Sequence, residues 1–132
     1  MIVVDANVMI AVLDPQDSHF DLARRFFVAH ASERLAAHRL TMAEALVLAA
    51  NSGREVAAAA AISALGVGRF DEPDDPIELA RLRASSGLKM PDCCVLYAAL
   101  REKAKLATFD ARLARAASEA GVPVVALTSR GV

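Results

Sequence analysis

The order of apolar and polar positions along the chain predicts short strands separated by helices. The run Ile2–Val4 is apolar and β-branched throughout, as expected of a strand that is buried on both faces. The other predicted strands are residues 34–40, 69–70, 106–109 and 122–127. Between them, apolar residues recur at helical spacing, and glycine or proline marks the ends of the segments. The predicted helices are residues 6–13, 18–30, 42–51, 54–65, 76–84, 91–103 and 110–120.

Strands that alternate with helices form a parallel sheet with helices on both faces. We therefore predict a three-layer α/β/α fold with a central, mostly parallel sheet of four to five strands. The chain has 132 residues and shows no internal repeat or long linker, so we expect a single domain spanning residues 1–132. A domain of this length buries enough apolar surface to fold without a disulfide or a structural metal.

Composition and charge narrow the classes of protein that remain. No apolar run reaches the ~18 residues of a membrane-spanning helix, and the N-terminal segment lacks the basic residues of a signal peptide, so we expect a cytoplasmic protein. Cys93 and Cys94 are adjacent, which fits neither a disulfide framework nor a zinc site, and we predict that they are reduced and buried. The formal net charge of −1 argues against passive nucleic-acid binding through a general basic surface.

Four carboxylates fall where a predicted strand ends or a predicted helix begins: Asp5, Glu44, Asp92 and Asp110. The carboxyl ends of parallel strands share one edge of the sheet, so the fold gathers these residues on one rim. Each alone has a structural explanation as a helix cap or a first-turn residue, and Thr41 with Glu44 matches a capping box. Two carboxylates about 5 Å apart repel each other by ~3 kcal/mol at an effective dielectric constant of about 20, and a bound cation would offset this repulsion. A ligand set of oxygen atoms alone favours Mg²⁺ or Mn²⁺.

The acidic positions also resemble the motifs of a known family, the PIN-domain ribonucleases. The resemblance covers residues 4–7, 41–44, 88–93 and 106–110. The first segment looks like the D-x-N/S motif that opens the family, the second and third look like its acidic helix starts, and the fourth looks like T-x-D at a strand end. The four motifs span almost the whole chain in the expected order. The sequence departs from many relatives at Cys93, where they carry a small residue, although a thiol still fits a packed helix.

Among PIN proteins, the chain looks most like the VapC toxins of type II toxin–antitoxin pairs. The resemblance implies a PIN-like fold and a metal-dependent endoribonuclease that hydrolyses RNA with metal-activated water. It also implies a homodimer that is silenced by a VapB-type antitoxin. Family substrates include transfer RNA and loops of ribosomal RNA, and the implied products carry a 5′-phosphate and a 3′-hydroxyl.

In this interpretation each site residue has an expected role. Asp5, Asp92 and Asp110 are the expected ligands of Mg²⁺ or Mn²⁺, directly or through water. Glu44 binds a second ion or orients the attacking water. Asn7 and Thr108 hold the ligand carboxylates or a water by hydrogen bonds, although an ordinary strand threonine is an equally simple explanation of Thr108.

Several other polar residues have simple explanations. Three basic residues near the predicted rim are candidates for RNA contact, although each is more often a solvated charge: Arg39, Arg112 and Lys89. Three histidines lack metal-ligand spacing and are predicted to be surface or helix residues: His19, His30 and His38.

Three rival functions stay open at this point. An aspartyl phosphatase also places Asp5 at the end of its first strand, but its motif is D-x-D, and position 7 here is Asn7. A receiver-like signalling domain binds Mg²⁺ in an acidic pocket, but it normally has two acids at that strand end and a lysine ending a later strand. Lys103 and Lys105 precede a predicted strand instead. A PIN fold without efficient catalysis would be an RNA-binding module, and the presence of all four acids argues against it.

Overall fold

A computed structural model describes residues 1–127 of the chain. Its strands are β1 (Ile2–Val4), β2 (Leu35–Ala37), β3 (Val67–Arg69) and β4 (Lys105–Ala107). All of these strands pair in parallel, in the order β3-β2-β1-β4. The helices of the described residues are α1 (Ala6–Leu13), α2 (Phe20–Ala29), α3 (Arg39–Ala50), α4 (Glu55–Ala64), α5 (Pro76–Ser86), α6 (Met90–Glu102) and α7 (Ala111–Glu119).

The two faces of the sheet are covered by different helices, which confirms the predicted three-layer α/β/α fold. Every side chain of β1 is fully buried, as its unbroken apolar run predicts. Ile2 and Val4 pack into a core with residues of α1, α2, α3 and α4. Val3 packs into a second core with residues of α6 and α7. Because successive residues of a strand point to opposite faces, one three-residue strand holds both layers together.

The predicted start of α3 is wrong. The helix begins at Arg39, because His38 follows β2 directly and its Nδ1 accepts a hydrogen bond of 3.1 Å from the Leu40 N–H. Thr41 is therefore inside the helix, and its hydroxyl is buried without a partner among residues 1–127. Glu44 lies beyond the first turn, so it does not complete a capping box. His38 is only 4% exposed and lies just before the helix as its cap, so its prediction as a surface or helix residue is also wrong.

His38 also joins the start of α3 to the loop before α5. Its Nε2 donates to Asp74 Oδ2 at 2.6 Å, and Asp74 Oδ1 accepts from Arg101 Nη1 at 3.3 Å. His38→Ala removes the helix cap and a buried hydrogen bond, so we expect the free energy of unfolding to fall by about 1–3 kcal/mol. Urea denaturation measures this change. His38→Asn keeps a capping acceptor and should lose less, whereas an unchanged stability of His38→Ala would contradict the cap.

The predicted last strand, residues 122–127, is wrong as a continuous strand. In this segment Val124 alone pairs with the sheet, through a single parallel bridge to Leu106 in β4. The Pro123 carbonyl accepts from the Leu106 N–H at 2.9 Å, and the Val125 N–H donates to the Leu106 carbonyl at 2.8 Å. Proline has no N–H to add to the ladder, which limits the pairing at this edge. Residues 128–132 of the predicted domain lie outside the described residues.

Cys93 and Cys94 are both buried free thiols, as predicted. Burial raises the pKa of both groups, and it raises the pKa of Cys94 to about 11. Neither residue is therefore a reactive thiolate at neutral pH. Over residues 1–127, we find no helix with the length and apolar character needed to cross a membrane.

Candidate active site

Asp5 lies at the carboxyl end of β1, in the middle of the sheet. It is 4% exposed, and its backbone N–H donates to the Ala107 carbonyl at 3.0 Å. One carboxylate oxygen, Oδ1, accepts from the Ala6 N–H at 2.7 Å, at the start of α1. The other, Oδ2, accepts from the Thr108 hydroxyl at 2.7 Å. Both oxygens of Asp5 are therefore held in position by the chain itself.

The charge of Asp5 is disfavoured by its surroundings. Burial raises the pKa of Asp5 from 3.8 to about 6. Hydrogen bonds from Thr108 and Ala6 favour the charged form and lower this pKa, whereas the negative charges of Asp92 and Glu44 raise it. The buried carboxylate therefore lies within electrostatic reach of two of the other predicted acids.

Asp92 lies in the first turn of α6 and is half-buried. Burial raises the pKa of Asp92, and the negative charge of Asp110 raises it further. The positive charges of Lys89 and Arg112 act in the opposite direction. The first turn of a helix favours a negative charge, which accounts for this position, but it does not remove the repulsion from Asp110.

Asp110 caps α7, as its sequence position predicts. Its Oδ1 accepts from the backbone N–H groups of Arg112 and Leu113 at 2.8 and 3.1 Å. The Asp110 N–H donates to the Thr108 hydroxyl at 3.0 Å. Capping and a second role do not compete here, because the cap uses one oxygen, and Oδ2 makes no hydrogen bond within residues 1–127.

Thr108 joins the acidic residues to Asn7. Its hydroxyl donates to Asp5 and accepts from Asn7 Nδ2 at 3.3 Å and from the Asp110 N–H. The Asn7 Oδ1 in turn accepts from the Phe109 N–H at 3.1 Å. The hydroxyl of one threonine thus ties the end of β1 to the segment that follows β4.

Glu44 is the exposed member of the four acids. It raises the pKa of Asp5 by its charge, but no hydrogen bond within residues 1–127 joins it to the other three. In the same part of the chain, no three aspartate, glutamate, histidine or cysteine side chains converge closely enough to enclose a metal ion. The fold brings the four acids into electrostatic contact without forming a closed cage.

Two of the three candidate basic residues lie beside these acids. The positive charges of Lys89 and Arg112 both lower the pKa of Asp92. Arg112 Nη2 also donates to the Gly87 carbonyl at 3.1 Å. Arg39 instead donates to the Asp71 carbonyl at 3.1 Å.

The sequence pattern does not reveal a stack between His19 and Phe109 beside this site. The ring centroids are 4.3 Å apart, and the ring planes differ by 11°. No local spacing links the two residues, because the contact joins segments that are distant in the chain. The one available signal is that Phe109 lies between Thr108 and Asp110, both of which are motif residues.

Comparisons with known proteins agree with this fold. The PIN domain profile matches residues 2–119. Among solved structures, PAE2754 from Pyrobaculum aerophilum is 26% identical with a TM-score of 0.61, covering 94% of this chain and 90% of that one. A toxin–antitoxin complex from Klebsiella pneumoniae is 23% identical with a TM-score of 0.76, covering 97% and 98%. VapC20 from Mycobacterium tuberculosis, a toxin that cleaves the sarcin–ricin loop, is 17% identical with a TM-score of 0.69, covering 92% and 96%. No curated protein sequence matches the chain.

Proposed function

Because the chain belongs to the PIN domain family, we propose that it is a metal-dependent endoribonuclease that hydrolyses RNA phosphodiester bonds. The observation that carries this proposal is that Asp5, at the carboxyl end of β1, lies within electrostatic reach of Asp92 and Glu44, and that Asp92 lies within reach of Asp110. Asp5 is buried there, although its surroundings disfavour its charge. A buried carboxylate whose surroundings disfavour its charge costs stability when it is ionised, so a role in binding a cation explains its place better than helix capping alone.

The donor set suits Mg²⁺ or Mn²⁺. The candidate ligands are all carboxylates, and hard divalent cations prefer oxygen ligands. A cation would also offset the repulsion among Asp5, Asp92 and Asp110. Mg²⁺ keeps several waters and takes one or two carboxylates from a protein, so it does not require a closed cage. We assign these three aspartates as ligands, and Glu44 as the residue that binds a second ion or orients the attacking water.

The chain itself supplies orientation and attraction for the substrate. When bound, the cation would supply an activated water and neutralise charge on the phosphate. Hydrogen bonds from Ala6 and Thr108 hold the Asp5 carboxylate in one orientation, and Asn7 holds Thr108. Lys89 and Arg112 provide positive charge beside Asp92, where an RNA phosphate would lie.

Thr108→Val is expected to slow RNA cleavage by roughly 10- to 100-fold and to weaken metal binding, because the hydroxyl orients Asp5. The two side chains are similar in shape, so the change removes the hydrogen bonds without opening a large cavity. Initial rates measured across a Mn²⁺ titration separate the two effects. Thr108→Ser keeps the hydroxyl and should recover most of the activity. A Thr108→Val variant with the wild-type rate and metal affinity would contradict this role.

We also propose that the protein is the toxin of a VapBC-type pair, acting in the cytoplasm as a single-domain homodimer that an antitoxin silences. The Klebsiella pneumoniae structure is a toxin–antitoxin complex, and the Mycobacterium tuberculosis protein is a toxin. In α3 and α4, Val47, Leu48 and Val56 are 57%, 71% and 79% exposed. Exposed apolar side chains of this size suit an interface with another protein chain. Transfer RNA and ribosomal RNA loops are the proposed substrates.

The direct test is incubation of the purified protein with single-stranded RNA and Mn²⁺ or Mg²⁺. We expect internal cleavage that stops when EDTA removes the metal, with a 5′-phosphate on the downstream product. Binding of the RNA without cleavage under any divalent metal would overturn the enzymatic proposal and favour an RNA-binding module.

A further inference from the structure

One aromatic pair beside the candidate active site has no role in the proposed chemistry. The ring of His19 stacks in parallel on that of Phe109, with centroids 4.3 Å apart. Phe109 is partly buried against the core, whereas His19 is exposed. The His19 N–H donates to Asp17 Oδ1 at 2.8 Å, which holds the start of α2 in place. The Phe109 ring is therefore anchored against the core, and the His19 ring is exposed to solvent.

The stack is built into the same network as the carboxylates. Phe109 lies between Thr108 and Asp110, and its N–H donates to Asn7 Oδ1 at 3.1 Å. The hydrogen bonds that fix the site therefore also fix the backbone that carries the ring. His19 stacks directly on Phe109, so its imidazole lies next to this segment.

His19 differs from the other two histidines. His38 is buried, and both of its ring nitrogens are used, one in the helix cap and one on Asp74. His30 is partly buried, and its Nδ1 contacts Glu33. The ring nitrogens of His19 make no hydrogen bond within residues 1–127, and its side chain is exposed. Its ring is thus available to a ligand from the solvent side.

We propose that the exposed face of His19 is a stacking subsite for a nucleobase of the RNA, next to the phosphodiester that is cleaved. This inference rests on the proposed nuclease function. Aromatic rings bind single-stranded nucleic acids by stacking on the bases, with little dependence on sequence. A chain with a net charge of −1 has little general attraction for RNA, so local contacts of this kind would position the strand.

Steady-state cleavage of a short single-stranded RNA by wild type, His19→Ala and His19→Phe tests the subsite. His19→Ala should raise KM roughly 5- to 150-fold, the effect of losing one base–aromatic stack, with little change in kcat. His19→Phe keeps a stacking ring and should restore KM. Replacing single nucleotides by abasic ones should raise KM for wild type at one position near the cleaved bond. The same replacement should have little further effect on His19→Ala, because both changes remove one contact.

His30→Ala is the matched control, since it removes an imidazole from the other end of α2 and should leave KM unchanged. If wild type cleaves RNA and His19→Ala retains the wild-type KM, the subsite is overturned and the nuclease proposal stands. If His19→Phe fails to restore KM, and both variants melt at a lower temperature than wild type, the stack is only a structural contact. If wild type neither binds nor cleaves the RNA, the proposed function itself fails.

Discussion

Asp5→Asn is expected to lower the rate of RNA cleavage by at least about 100-fold at saturating Mn²⁺, the scale of losing one preorganised electrostatic group. The substitution keeps the size of the side chain and removes its charge. An asparagine oxygen can still accept from the Ala6 N–H, but the amide nitrogen cannot accept the hydrogen bond that the Thr108 hydroxyl donates. The variant therefore loses both a negative ligand and the orientation of the site.

The measurement is the initial rate of cleavage of a labelled single-stranded RNA by equal amounts of each purified protein. Glu119→Gln is the matched control, because it makes the same chemical change at an exposed position at the end of α7. It should cleave RNA at the wild-type rate. Equal rates for wild type and Asp5→Asn would mean that Asp5 has no part in catalysis, or that the cleavage comes from a contaminating nuclease.

The second large effect concerns stability and its dependence on pH. In the absence of metal, the Asp5 contribution should make the protein less stable as pH rises from about 4 to about 6. Its pKa is raised from 3.8 to about 6 by folding, so the folded state holds this proton more tightly than the unfolded state. The stabilising contribution is complete below the unfolded pKa and is lost as pH rises through the folded pKa. A shift of about two pKa units corresponds to about 3 kcal/mol.

Thermal unfolding in EDTA across this pH range measures the effect. For a chain of this length the expected change in melting temperature is about 10 °C. The Asp5→Asn variant lacks the titrating group, so the difference between the two proteins isolates the contribution of Asp5 from that of other acids. A wild-type profile parallel to that of Asp5→Asn would contradict the raised pKa.

Adding Mn²⁺ above this pH range completes the experiment. A ligand that binds only the folded state raises the melting temperature, so wild type should be stabilised by Mn²⁺. Asp5→Asn should respond much less, because it lacks the central ligand. Equal stabilisation of wild type and Asp5→Asn would mean that Mn²⁺ binds at a site that does not include Asp5.

Much of the fold follows from local features of the sequence. The apolar run Ile2–Val4 predicts a strand that is buried on both faces, and β1 is such a strand. Alternating strands and helices predict parallel pairing, and the pairs β1–β2, β1–β4 and β2–β3 are all parallel. Asp110 at a strand end predicts a helix cap, and its Oδ1 accepts hydrogen bonds from two N–H groups in the first turn of α7. These features depend on backbone propensity and capping chemistry, which neighbouring residues decide.

The boundary of α3 shows where local reasoning stops. Thr41 and Glu44 have the spacing of a capping box, but that spacing alone is weak evidence. The buried contact between His38 and Asp74 joins distant segments and holds the cap at His38, three residues before Thr41. The stack of His19 on Phe109 is hidden from the sequence for the same reason, since it joins the residue before α2 to the segment that follows β4.

The sequence by itself determined the layered α/β fold and the placing of three aspartates, Asp5, Asp92 and Asp110, at strand ends and helix starts, because both depend on local patterning and on the common edge of parallel strands. Only the tertiary structure decided that Asp5 is buried with a raised pKa, and that the Thr108 hydroxyl, just after the neighbouring strand β4, holds it. It also decided that Glu44 is exposed and that His19 presents a ring beside the site. Burial, charge repulsion and long-range hydrogen bonds depend on how distant segments pack, and no local pattern contains that information.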